Sequence, residues 1–139
     1  MFQGIGGGRF ALQNRLQAVA TAGTGNLFDQ AGAWILGGNW VDEGGGVFFN
    51  ADDAGSDFLS KDMSGIVDDN VDYTISFTND DRIAGAIRIT VNAQGGTGSF
   101  NTLGDHEDTA QGAGSNLCGI KTNGIGEGLR VSNLVMVKA

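Results

Sequence analysis

The sequence predicts an all-β fold, a jelly-roll β-sandwich of antiparallel strands preceded by a short N-terminal helical or extended arm. Residues 71–78 and 86–92 alternate apolar and polar side chains with the two-residue period of a strand. The chain has 25 Gly and no Pro, with ample Val, Ile, Leu and Phe, which excludes collagen-like and disordered chains and fits a domain with many turns. Short apolar runs follow one another at roughly ten-residue spacing, as in β-sandwiches.

Residues 1–26 differ from the rest and are predicted to form an arm before a single domain of residues 27–139. Glycines dominate the start, and residues 10–22 have the apolar spacing of a short helix, with Leu12, Leu16 and Val19 at i, i+4 and i+7. Isolated helices of this length are rarely stable in water, so the arm needs a surface to pack against. That surface is either its own domain or a neighbouring subunit of a larger assembly. The second alternative assigns assembly contacts to the apolar residues Ile5, Phe10, Leu12, Leu16 and Val19.

Apolar runs between glycine and asparagine turns predict the strands of the domain. They cover residues 27–28, 34–36, 40–41, 47–50, 58–60, 71–78, 86–92, 99–103, 116–122 and 129–137. The runs 71–78 and 86–92 are predicted to form an antiparallel pair across a polar turn at residues 79–82. Residues 104–115 are predicted to be a polar loop, and residues 123–128 a turn.

The last predicted strand has apolar residues on both faces. Leu129, Val131, Val135 and Val137 share one parity, while Leu134 and Met136 add apolar groups to the other near the end of the strand. We therefore expect the end of this strand to be covered on both sides.

Charge and composition exclude several classes of partner. The net charge of −8 disfavours nucleic acid, which needs clustered Lys and Arg, and it disfavours anionic membrane surfaces. No apolar run approaches the length of a membrane span, and the N-terminus does not have the pattern of a secretory signal. With Cys118 as the single cysteine, no disulfide within the chain is expected.

The residues that could carry catalysis favour a structural interpretation. His106, the only histidine, lies in an acidic segment without the ligand spacing of a zinc site. Cys118 shares a strand face with Ile120, which predicts a core thiol rather than a nucleophile. The paired carboxylates lie in predicted turns, whereas glycoside hydrolysis needs two carboxylates across a cleft. We therefore expect no enzymatic activity and no catalytic residues.

Two binding sites are candidates. Hard oxygen ligands in loops suit calcium, and Asp52, Asp53 and Asp57 are the first candidates for a structural calcium site, with no other cofactor expected. Among the aromatic residues that could stack on a sugar, Trp40 beside the glycine turn is the best candidate for exposure, with Asn39 and Arg88 supplying hydrogen bonds. Core packing of these aromatic residues is the alternative.

The order of several segments resembles that of a known group of domains. The segments are Trp34-Ile35-Leu36-Gly37-Gly38-Asn39-Trp40, Gly46-Val47-Phe48-Phe49, Tyr73-Thr74-Ile75-Ser76-Phe77 and Ile87-Arg88-Ile89-Thr90-Val91. Together they resemble the carbohydrate-binding-module and galactose-binding-like jelly rolls over residues 27–139. The closing strand is similar to their final apolar-Asp-Asn-Val-x-Val pattern, with Ser132-Asn133-Leu134-Val135 in place of Asp-Asn-Val, which removes one carboxylate.

Domains of this kind are common in bacteriophage virion proteins, and a glycine-rich start before one such domain is similar to small phage structural proteins. The resemblance implies a non-enzymatic virion structural protein, a capsid decoration or a tail or fibre component, assembled in the host cytoplasm. The expected partners are other capsid or tail proteins and further copies of the chain, with a trimer favoured. The alternative is a carbohydrate-binding module acting as an adhesin for surface glycans. Fold alone decides neither.

Overall fold

The computed structural model describes residues 25–52, 56–92, 94–112 and 116–139, with the backbone alone at residue 52 and residues 124–127. A 3-10 helix over Leu27–Gln30 precedes nine strands. The strands are β1 (Ile35–Leu36), β2 (Trp40–Gly44), β3 (Val47–Asp52), β4 (Phe58–Asp62), β5 (Asp72–Asp81), β6 (Ala84–Val91), β7 (Gln94–Gly95), β8 (Gly104–Gln111) and β9 (Leu117–Lys138). The predicted all-β sandwich of antiparallel strands is confirmed, while the predicted arm lies outside the described residues apart from its last two.

The 22-residue strand β9 belongs to both sheets of the sandwich. Its first half pairs with β4 and β6, which gives one five-strand sheet in the order β1-β4-β9-β6-β7, called sheet A here. Its second half pairs with β3 and β5, which gives the order β2-β3-β9-β5-β8, called sheet B. The turn predicted at residues 123–128 is therefore wrong, because the chain stays extended there while it passes from one sheet to the other.

The predicted pairing of the two alternating runs is also wrong. Strand β5 pairs with β8 and β9, and β6 pairs with β7 and β9, so the two consecutive strands lie in opposite sheets. Their apolar faces nevertheless point to the same core, as the alternation predicts. The fully buried side chains include Ile75 and Phe77 from β5 and Ile87, Ile89 and Val91 from β6.

The polar segment predicted to be a loop at residues 104–115 contains strand β8 instead. Its residues Asp105, Glu107 and Thr109 face solvent, and their cross-strand neighbours on β5 have hydroxyl side chains. Thr78 donates to the Asp105 carboxylate at 2.7 Å, and the hydroxyls of Thr74 and Thr109 lie 2.7 Å apart. Charged side chains are a common protection of sheet edges against unwanted pairing, so polarity here marks an edge strand rather than a loop.

The end of β9 is largely buried on both faces, as predicted, with Val137 7% exposed, and the strand contains a β-bulge. Ser132 pairs with Thr78 and Val135 with Ser76, so Asn133 and Leu134 lie opposite a single residue of β5. Asn133 has a positive φ of 54°, a conformation that asparagine tolerates better than most residues. The extra residue reverses the alternation, so Leu134 and Met136 point to the core and are 8% and 0% exposed.

Two short predicted strands have a different structure. Leu27 and Phe28 begin the 3-10 helix, which Asn26 caps by accepting from the Phe28 amide at 3.1 Å. Of the predicted strand at residues 99–103, only an isolated bridge between Phe100 and Ile87 is present. Both segments still bury aromatic groups: Phe28 is 1% exposed, and Phe100 packs against the core.

Candidate functional site

A half-open pocket of about 240 Å³ lies among the described residues at one end of the sandwich. Its walls are the 3-10 helix with Asn26, the turn Gly45–Gly46 and the bulge at residues 132–134, with Trp34 and Lys61 between them. Gly45 and Gly46 have φ values of 64° and 79°, which residues other than glycine rarely adopt. Loops at the end of a rigid sandwich are a frequent location of binding sites.

Lys61 is the residue of this pocket that sequence reasoning missed. It pairs with Cys118 on the core-facing side of β4 and is 9% exposed. Its Nζ donates to the Phe28 carbonyl at 3.0 Å and lies 5.1 Å from the centroid of the Trp34 ring. The described part of the chain places no carboxylate within ion-pair distance of this ammonium group. A signal for its burial was present, since Lys61 has the same parity as Leu59 in a short strand.

Trp34 is fixed in the pocket wall by aromatic contacts. Its ring lies 4.9 Å from that of Phe28 and 5.4 Å from that of Phe48, the second contact being edge to face. Such arrangements follow the charge distribution of aromatic rings. Trp34 is half-buried, whereas both phenylalanines are buried. The indole is thus held by the core while part of it faces the pocket.

The three residues predicted to bind a glycan have different surroundings. Trp40 is 4% exposed and its indole N–H donates to the Asp57 carbonyl at 3.1 Å, so its expected exposure is wrong and the core-packing alternative holds for it. Asn39 is exposed, and its backbone amide donates to the Asp57 carboxylate at 2.8 Å. Arg88 lies on the outer face of sheet A and donates to the Gly96 carbonyl at 2.8 Å.

Asp57, one of the three predicted calcium ligands, organises the polar contacts around Trp40. Its carboxylate accepts from the Asn39 amide and from the side chain of the fully buried Asn50, the latter at 3.1 Å. Its amide donates to the Thr122 hydroxyl at 2.8 Å. The Asp52 side chain and Asp53 lie outside the described residues, within which no group of three metal-binding side chains occurs. The calcium site therefore stays a prediction.

His106 and Cys118 both have structural surroundings. The His106 ring stacks on Phe100 with centroids 4.8 Å apart, and its Nε2 donates to the Thr102 carbonyl at 2.8 Å. Its predicted place in a solvated loop is wrong, since it lies on the inner side of β8. Cys118 is fully buried, as its parity predicts, and it exchanges hydrogen bonds with Asn92. Burial raises the pKa of the Cys118 thiol, although the hydrogen bond from Asn92 acts in the opposite direction.

A second surface of interest is an apolar strip on the outer side of sheet A. Ile35, Phe58 and Leu117 are 48%, 44% and 43% exposed. The predicted assembly residues Ile5, Phe10, Leu12, Leu16 and Val19 lie outside the described residues, so their contacts stay a prediction.

No helix in the described ranges is long and apolar enough to cross a membrane. Comparison of the chain with models of known protein families and with curated protein sequences found no match.

Proposed function

We propose that the chain is a non-enzymatic structural subunit of a phage particle, which assembles when its N-terminal arm docks on the sandwich of a neighbouring copy. The observation that supports this proposal is the exposed apolar strip on the outer side of sheet A, formed by Ile35, Phe58 and Leu117. Contiguous apolar surface on a soluble protein typically marks an interaction site. The phage setting itself rests on the resemblance of the sequence to virion jelly rolls.

A row of small residues lies between the members of the strip. Ser60 on β4 pairs with Ile35 on one side and with Gly119 on the other, and Gly119 pairs with Thr90. Ser60 and Thr90 are each 3% exposed, so this row of small residues forms a floor below the larger apolar side chains. A methyl group at Gly119 would overlap the Leu59 carbonyl oxygen, which shows how closely the backbones approach there.

The spacing of the apolar residues in the arm is comparable to the width of the strip. Leu12 and Val19 are seven residues apart, which is about 10.5 Å along a helix. Ile35 on β1 and Leu117 on β9 are two strand spacings and two residues of register apart, about 12 Å along the diagonal. An apolar helix face would therefore reach across the strip.

Several acidic residues that could pair for hydrolysis are engaged in the fold. Asp57 accepts from Asn39 and Asn50. Asp108 on the inner side of β8 accepts from the Gly98 amide at 2.7 Å and so holds the loop after β7. These contacts support a structural role for the carboxylates rather than a catalytic one.

Two measurements test assembly. Light scattering gives the mass of the purified protein in solution, and the number of copies bound to the particle gives its occupancy. We expect the full chain to form a closed oligomer, and both deletion of residues 1–22 and the substitution Phe58→Asp to shift it to monomers that no longer occupy the particle. Leu103→Asp is the matched control, because Leu103 is 60% exposed and lies in the connection between β7 and β8. If the truncated protein keeps its mass and occupancy, the proposal fails; the measured mass also tests the expected trimer.

A further inference from the structure

We propose that the pocket at the end of the sandwich binds a small hydroxylated carboxylic acid, with Lys61 as the partner of its carboxylate. The pocket residues are distinct from the strip on sheet A, so this inference is independent of the assembly proposal. The starting point is a buried ammonium group that opens into a cavity of about 240 Å³.

A buried lysine normally has a carboxylate partner, because an isolated charge is costly to remove from water. Lys61 uses one of its three N–H donors on the Phe28 carbonyl and has the Trp34 ring beside it at 5.1 Å. Within the described residues these are its only contacts with an acceptor or a ring, and no carboxylate reaches it. The remaining donor capacity matches an anionic oxygen supplied by a ligand.

The rest of the pocket calls for hydrogen-bond donors on the ligand. Asp29, which is exposed, is one of the lining residues and carries a carboxylate, and the glycine turn contributes backbone. A carboxylate accepts but does not donate, so a hydroxyl group on the ligand complements Asp29. The cavity has the volume of about eight water molecules at ~30 Å³ each. Its volume therefore fits a molecule of monosaccharide size.

The net charge of the protein means that the affinity for an anion must come from contacts inside the pocket. With a net charge of −8, the protein repels anions at long range. An anion that binds must gain its affinity locally, and Lys61 is the buried cation of the pocket. Asp29 is the competing explanation, since it could balance Lys61 through bridging water without any ligand.

The test compares two probes that differ at one carbon. Glucuronate carries a carboxylate where glucose carries a hydroxymethyl group, so the pair isolates the charge. Binding is followed by NMR at the indole N–H signals, because the chain has two tryptophans. Trp34 lines the pocket, whereas Trp40 is buried and donates to Asp57, so its signal is an internal control.

We expect glucuronate to shift the Trp34 signal at about millimolar concentration, the weak regime expected of a small ligand, and glucose at the same concentration to leave it unchanged. Lys61→Met keeps the length of the side chain without its charge and should weaken glucuronate binding about tenfold or more. Equal shifts with the two probes, no shift with glucuronate, or unchanged glucuronate affinity in Lys61→Met would each overturn the proposal. The comparison of probes on the unaltered protein decides the question even where Lys61→Met does not fold.

Discussion

The side-chain amide of Asn26 donates to the carbonyl oxygen of Leu134 at 3.0 Å, a contact between residues 108 positions apart. The same side chain accepts from the Met136 amide at 3.0 Å. Strand β3 pairs with β9 only as far as Val131, so among the described residues no further strand lies beside this edge of β9 there. Asn26 therefore takes the place of a strand partner, and it holds the first residues of the domain against β9.

Replacing Asn26 by Ala should destabilise the domain. The backbone groups of Leu134 and Met136 lose their partner, and unmet backbone groups in part-buried positions cost about 2 kcal/mol of unfolding free energy together. The measurement is urea denaturation followed by tryptophan fluorescence. Asn101→Ala, at an exposed position, serves as control and should change stability by less than about 0.5 kcal/mol. Equal stability of the two variants would contradict the role given to Asn26.

Asp57→Ala should destabilise the protein more than Asp57→Asn. The alanine variant leaves the Nδ2 of fully buried Asn50 and the Asn39 amide without an acceptor, whereas asparagine keeps one acceptor oxygen. We expect a loss of about 2–3 kcal/mol for alanine, the usual cost of leaving buried donors unmet, and about half of that for asparagine. Denaturant midpoints of the two variants measure this order. Equal losses in the two variants would show that the charge at residue 57, which both remove, determines the stability rather than its hydrogen bonds.

Cys118 should be inert in the folded protein. Its thiol is fully buried, and burial raises its pKa above the ordinary value of 9.0, so the reactive thiolate is disfavoured. We expect a thiol reagent at pH 8 to label the native protein at least about 100-fold more slowly than the urea-unfolded protein, because labelling requires opening of the core. Fast stoichiometric labelling of the native protein would contradict this placement.

The same thiol predicts a dependence of stability on alkaline pH. The unfolded thiol ionises near pH 9.0, whereas the folded thiol keeps its proton to higher pH. The contribution to stability is therefore fully present below pH 9 and is lost as the pH rises above it. Cys118→Ala should remove this part of the pH dependence, which thermal unfolding between pH 7 and pH 10.5 measures. A parallel loss in both proteins would assign the effect to other groups.

Local patterns predicted the faces of the strands but not their partners. The alternation around Ile75 and Ile87 identifies two core faces correctly, since a strand buries every second residue. Which strand lies beside which depends on β9, and its pairing with four other strands is set by residues far away in sequence. The runs of β5 and β6 thus looked like a hairpin, although they face each other across the core.

The candidate site was less predictable than the fold. The glycine turn before Trp40 predicts that this residue is exposed. The turn does not expose Trp40, since Asp57 binds its indole and the ring packs in the core. The buried position of Lys61 was not predicted, and lysine is indeed rarely buried. Its position depends on the 3-10 helix, whose Phe28 carbonyl meets the ammonium group from a distant part of the chain.

The bulge at Asn133 provides the last prediction, because one residue there decides which side chains of β9 enter the core. The backbone of Asn133 has φ of 54°, and its side chain donates to the Thr78 hydroxyl at 3.1 Å. Asn133→Ala loses the hydrogen bond and strains the left-handed backbone, which costs about 1–2 kcal/mol. Asn133→Gly loses only the hydrogen bond and should cost less than about 1 kcal/mol.

Deleting Asn133 should have a much larger effect than either substitution. The bulge would disappear, so the alternation beyond it would reverse and turn buried Leu134 and Met136 towards solvent. Val135 and Val137 would then face the core, which compensates only in part, since valine is smaller than the residues it would replace, Val137 is already only 7% exposed, and a cavity raises the cost further. Denaturation of the deletion variant measures this. A deletion variant as stable as Asn133→Ala would show that the core accepts either parity, and the bulge would then not be what selects Leu134 and Met136.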